Sequence, residues 1–298
     1  MSAHADPIGT ATAFDRATAV REAGNGVYVA GVEDGWSAPT GPNGGYLAAI
    51  VVRAAAAHVD PAGERQLRSL TVHFLRPARA GELELRVKAV REGRRFSNAR
   101  LVGTQDGKEV LMGLVAFSVT GMEGAGTWSP RMPDVAAAPP RDAERVAPED
   151  YQPDGGAWLA PVEGAPPIVQ QVKLAPRMGG RPFSGRPLAP GEAAELGGWI
   201  ELPDPHPLDA PYLVLLSDIL WPPSFQPLSA PALAPTVDLT VHIRADLPPG
   251  GLPDQPVFGR YWTAAAAAGT IEEDGELFAP DGSLLAQSRQ LALLTPVG

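Results

Sequence analysis

The chain contains no cysteine. Disulfides, zinc–thiolate centres and cysteine nucleophiles are therefore excluded. Histidine is sparse. His4, His58, His73, His206 and His242 show no HExxH or other close ligand spacing, so no metal centre is expected. No apolar run approaches the roughly 18 residues of a membrane-spanning helix. The longest, around 47–57 and 212–221, have the length of core helices, so no membrane insertion is expected. Residues 1–24 lack a basic segment followed by an apolar stretch, the pattern of a secretory leader, and the expected location is cytoplasmic. Positive charge is in deficit, with 24 Lys and Arg against 34 Asp and Glu. The resulting net charge of −10 disfavours nucleic acid as a partner, because neutralising phosphates takes a basic surface.

What is present suits a globular protein of two domains: 298 residues, 44% hydrophobic and 19% charged. The basic residues are unevenly spread. Residues 64–100 hold ten of the 24, against four acidic ones. This stretch suits either a small polyanionic ligand or a solvated arginine-rich face.

Residues 41–58, GPNGGYLAAIVVRAAAAH, predict a glycine-rich turn leading into a buried helix, broken by Pro61. Leu83, Leu85, Val87 and Ala89 then alternate with charged residues, the period of a half-buried strand. Strand-like runs at 67–77, 96–104 and 109–119 complete an antiparallel meander, with a hairpin turn at Asp106-Gly107. Between 123 and 190 the texture changes, with 13 of the 33 prolines in 68 residues. Proline breaks helices and ladders alike. This segment is expected to cross between domains, with 167–182 able to enter a strand. The expected organisation is a first domain over 1–122, a connection over 123–184 and a second domain over 185–298.

Beyond the connection the first pattern returns. A strand at 195–202, a buried helix at 209–221, a strand at 236–244 and further strands over 257–278 and 283–294 are expected. LTVH at 70–73 recurs at 239–242, an offset of 169 (239 − 70). Tyr46-Leu47 matches Tyr212-Leu213 at 166 (212 − 46), and the Asp-Gly turns at 106 and 281 match at 175 (281 − 106).

The stretch FLRPARAGELELRVKAVREGRRFSNARLVGTQDGKEV resembles the first half of the acyl-CoA thioesterase II family. LSDIL around Asp218, TVDLTVH from Thr236 and DGSLLAQSRQ ending at Gln290 resemble its second half. The resemblance implies an α+β double hot-dog fold, with two antiparallel sheets, each wrapped around a long central helix, that join into one. It implies hydrolysis of acyl-CoA to a free acid and CoA without a cofactor, and it leaves homo-oligomer formation open. It also implies a catalytic set of Asp218, Thr236 and Gln290.

These residue types suit the chemistry. A carboxylate between Leu215-Leu216 and Ile219-Leu220 is destabilising unless paired or used, and burial tunes it toward a general base. Gln290 and Thr236 can hold a water beside it. Gly44 and Gly45, at a helix N-terminus, can donate amides to a carbonyl oxygen. Arg94 and Arg95, with Arg91 and Arg100, can bind CoA phosphates. In isolation each has a plainer reading: a helix residue at a solvent seam, two ordinary strand residues, a turn. Strict alternation sets a conflict, because it places Thr236 on the face opposite Val237, Leu239 and Val241. A bulge just after Thr236, or a strand that starts there, would resolve it. Two other functions stay in play. A hot-dog enoyl-CoA hydratase would need a histidine beside an acid, and no helix here offers that pair. A non-catalytic acyl-CoA binding protein would not need the polar set. The repeat maps Asp218, Thr236 and Gln290 onto Val52, Leu67 and Val115, so one hydrolytic site per chain is expected.

Overall fold

The computed structural model describes residues 11–297, and His4 lies outside them. Among the described residues no helix is long and apolar enough to cross a membrane. The principal strands are β1 (Val20–Gly24), β2 (Val27–Val32), β3 (Arg65–Phe74), β4 (Gly81–Glu92), β5 (Phe96–Gln105) and β6 (Lys108–Val119) in the first half. The second half supplies β7 (Lys173–Gly179), β8 (Ala194–Glu201), β9 (Thr236–Ile243), β10 (Val257–Thr263), β11 (Thr270–Phe278) and β12 (Leu284–Leu293). The helices are α1 (Ala13–Ala17), α2 (Gly44–Val59) and α3 (Ala210–Leu216).

The strands form one continuous sheet in the order β1-β2-β4-β5-β6-β3-β9-β12-β11-β10-β8-β7, extended by two-residue strands from the connection. The sheets of the two halves thus run together as one. β3 and β9 pair antiparallel across the seam and join the halves. The repeat explains the seam. Thr71 lies opposite Thr240, its own equivalent at offset 169, and the two hydroxyls are hydrogen-bonded at 2.9 Å. Leu70 and Val72 face Val241 and Leu239, so a pseudo-twofold axis passes through the threonine pair.

α2 is apolar on nearly all sides, as a helix enclosed by a sheet must be, and buries every residue from Gly45 to Val52. The second half departs from the expected long helix. α3 has 7 residues against 16 in α2. It is stopped by Ser217, whose hydroxyl donates to the Leu213 carbonyl at 2.9 Å, and Pro222 and Pro223 follow.

The proline-rich connection is irregular but anchored. Trp158, Trp199, Phe258 and Phe278 make a second, smaller core, against which Met132, Val135 and Tyr151 pack. Indole N–H groups tie it down, Trp199 to the Ala136 carbonyl at 2.8 Å and Trp158 to that of Pro140 at 2.9 Å. Within 167–182, β7 pairs with β8 and belongs to the second half.

Candidate active site

Because α3 ends early, Asp218 is the first residue beyond the helix cap rather than an interior helix residue. Its side chain turns to the N-terminus of α2. Oδ2 accepts from the Gly45 amide at 2.9 Å and from Asn43 Nδ2 at 3.1 Å. Asn43 Nδ2 also donates to the Asp218 backbone carbonyl at 2.6 Å, while Asn43 Oδ1 caps α2 by accepting from the Tyr46 amide at 2.9 Å. A carboxylate here complements the positive end of the helix dipole. The two glycines permit the approach. A Cβ at 45 would lie 2.7 Å from the Leu215 carbonyl oxygen, and one at 44 would lie 2.8 Å from Asp218 Oδ2.

Gln290 links the remaining groups. Its Nε2 donates to Asp218 Oδ1 at 3.0 Å and to Glu273 Oε1 at 2.8 Å, and its Oε1 accepts from the Thr236 hydroxyl at 2.8 Å. Thr236 reaches inward because the β9–β12 register shifts between Thr236 and Asp238. That bulge brings Thr236 opposite buried Ala292, on the same side as Leu239. Asp218, Thr236 and Gln290 are thus brought into one hydrogen-bonded cluster, with Gly44 and Gly45 beside them.

Asp218 keeps partial exposure, yet burial pushes its carboxyl up to about 6 against the pull of the Gly45, Gln290 and Asn43 hydrogen bonds. Glu273 is buried more completely, 5% exposed. Burial, and then the neighbouring Asp218 charge, push it up to about 8. Sequence reasoning missed Glu273. The signal was in the alternation of β11, where Ile271, Glu273, Gly275 and Leu277 share the inward side and all are buried.

One expected role changes. The Gly45 amide is engaged by Asp218 rather than left for a substrate carbonyl, and the Gly44 amide also stabilises that carboxylate. Arg94 and Arg95 are not brought to the cluster. With Arg91 they line an open cleft of about 530 Å³ on the β4–β5 hairpin. That hairpin lies at the other end of α2. Asp60, the C-cap of α2, accepts from the Arg65 amide at 2.6 Å, and Arg65 donates to the Gly93 carbonyl at 3.0 Å. The 16 helical residues between the two ends span about 24 Å. Arg76 and Arg79, both exposed, lie nearer the Asp218 end, on the loop after Phe74, whose ring lies 3.2 Å from a Cβ built on Gly44. His73 and His242 are exposed on the outer face.

Residues 32–118 match the acyl-CoA thioesterase N-terminal domain family and residues 140–294 match the acyl-CoA thioesterase C-terminal domain family. The chain belongs to the acyl-CoA thioesterase family. A thioesterase II-like, hot-dog architecture is shared with solved structures. A hot-dog protein of unknown function from Alicyclobacillus acidocaldarius superposes with a TM-score of 0.78 at 26% identity, covering 96% of this chain and 99% of that one. A candidate thioesterase II from Thermobifida fusca superposes at 0.72 with 27% identity, covering 96% and 98%. An uncharacterised Mycobacterium tuberculosis protein (strain H37Rv) is 26% identical over 282 residues, 90% of this acyl-CoA thioesterase family chain and 91% of its own.

Proposed function

We propose that the chain hydrolyses acyl-CoA to a free carboxylic acid and CoA at the Asp218 cluster, using a water activated by Asp218 and oriented by Gln290 and Thr236. Asp218 takes a proton from the water as its oxygen adds to the thioester carbon. The C–S bond then breaks, and the proton goes to the departing CoA sulfur. Gly44 and Gly45 serve by holding Asp218. The observation that carries this reading is the asymmetry of the repeat. Val115 faces Leu70 as Gln290 faces Leu239, and Leu67 faces Phe117 as Thr236 faces Ala292. Val52, Leu67 and Val115, the first-half equivalents, are all buried. The fold therefore accepts apolar residues at these places, and the costly polar set stands in one half alone. A hydratase is disfavoured, because both strand histidines face away from the cluster.

The deciding experiment is thiol release across an acyl-CoA panel from acetyl to palmitoyl; binding without release on every substrate would favour the binding protein. Titration with a non-hydrolysable acyl-CoA analogue is expected to give one catalytic equivalent per chain, and two would contradict the asymmetry. Val52→Ala is then expected to alter stability or chain-length preference rather than the chemical step.

Phosphate recognition follows the geometry. Substituting Arg76 and Arg79 together with Ala is expected to raise KM with kcat little changed, the sign of lost ground-state binding. The same change at Arg94 and Arg95 is expected to leave both constants within about twofold. The reverse order of effects would return the CoA phosphates to the hairpin cleft.

A further inference from the structure

We propose that Glu273 is a positioning residue of the hydrolytic site, which fixes the side-chain amide of Gln290 between Asp218 and Thr236. The inference rests on the hydrolytic reading and deepens it. A glutamine amide can sit either way round, and its two ends offer opposite hydrogen-bonding character. Here both N–H groups of Gln290 point at carboxyl oxygens, one on Asp218 and one on Glu273, and its oxygen takes the Thr236 hydroxyl. All three of its contacts are used. Without Glu273 the second N–H would be buried without an acceptor, and the amide would be free to turn away from Asp218.

The fold does not require a carboxyl at this place. Glu273 lies opposite Gln290 as Ala99 lies opposite Val115, and Ala99 is fully buried. An alanine therefore fills the equivalent position in the half that lacks the polar set. In the second half a buried carboxyl stands beside a second carboxyl, an arrangement that opposes folding and clusters at functional sites. Glu273 Oε2 is buried without a hydrogen-bond partner among the described residues. The groups around it are the Asp218 carboxyl, the Tyr261 phenol and, on its own strand, Asp274. The Tyr261 hydroxyl is itself committed, donating to the Leu216 carbonyl.

With the Glu273 carboxyl pushed up to about 8, it is neutral at neutral pH and ionises in mild alkali. Ionisation adds a second negative charge beside the carboxylate and the developing oxyanion. Hydrolysis should therefore fall as pH rises through about 8.

The test uses Glu273→Ala and Glu273→Gln in the full chain, assayed by thiol release over pH. Glu273→Ala is expected to lower kcat about ten- to a hundredfold with KM little changed, the usual scale of a misplaced catalytic group. Glu273→Gln, which keeps an acceptor for Gln290 but cannot ionise, is expected to rescue most of that loss and to abolish the alkaline decline. The infrared carbonyl stretch of a protonated carboxyl, present in wild type at neutral pH and lost in Glu273→Gln, reads the same group independently of activity. Wild-type kcat in Glu273→Ala, or an unchanged alkaline limb in Glu273→Gln, overturns the proposal while leaving the Asp218 reading intact. If Glu273→Ala fails to fold, the pH profile of Glu273→Gln decides. No thiol release by the wild-type protein on any substrate overturns the hydrolytic reading itself, and the positioning role with it.

Discussion

Asp218→Asn is expected to lower thioester turnover at least about a hundredfold, the scale for a positioned acid–base group, with the fold intact. Asparagine matches aspartate in shape, so its oxygen can still take the Gly45 amide that Oδ2 takes now. It cannot accept a proton from water, and its amide would meet the Nε2 of Gln290, donor against donor. In wild type, activity should rise as pH passes about 6, where the carboxyl ionises. The variant should lose that acid limb. Stability moves the other way. The folded-state value of about 6 lies above the 3.8 of a free aspartate, so the native state binds more protons than the unfolded chain between these values. Stability is then lost as pH rises through that window, on the order of 3 kcal/mol in total. Asparagine has no charge to bury, so thermal unfolding at pH 8 should show the variant at least as stable as wild type. Wild-type turnover in Asp218→Asn would remove this residue from the mechanism.

Gly45→Ala should damage stability and activity together. The added Cβ would come 2.7 Å from the Leu215 carbonyl oxygen and 3.1 Å from that of Val214. Both contacts are backbone, which cannot swing aside as a side-chain tip can, so α2 must retreat from α3. Overpacking of this kind costs about 1–3 kcal/mol. The retreat also draws the Gly45 amide away from Asp218, and turnover should fall about ten- to a hundredfold. Gly31→Ala is the control. A Cβ there meets nothing within 4 Å among the described residues, and both melting temperature and thiol release should stay near wild type. Equal effects at the two glycines would deny the close helix contact its role.

Local chemistry made part of this fold legible in the sequence. The Asp106-Gly107 turn closes β5 and β6 with both residues at positive φ, 50° and 71°. The LTVH repeat turned out to be two strands that pair with each other across the pseudo-twofold axis. Strict alternation opposed an inward Thr236, and the bulge that reconciles the two is present in both halves, after Leu67 as after Thr236. What stayed hidden depends on partners distant in sequence. The early end of α3 rests on a local Ser217 bond, but the direction of Asp218 is set by amides 173 residues away. Arg94 and Arg95 share a basic stretch with Arg76 and Arg79, and only the fold shows that the length of α2 separates Arg94 and Arg95 from Asp218. Glu273 lay in plain view on an inward strand position, yet its neighbours come from another strand and a helix end.

The seam at Thr71 and Thr240 bears on how the proposed activity responds to dilution. Asp218 belongs to the second half, and the amides that hold it belong to the first. If the halves were separate subunits, the carboxylate would lose those donors whenever the pair came apart, and activity would fall with concentration. Joined through β3 and β9 in one chain, they meet at a fixed effective concentration set by the covalent connection. The support of Asp218 is then a first-order property of the single molecule, preserved however dilute the protein becomes.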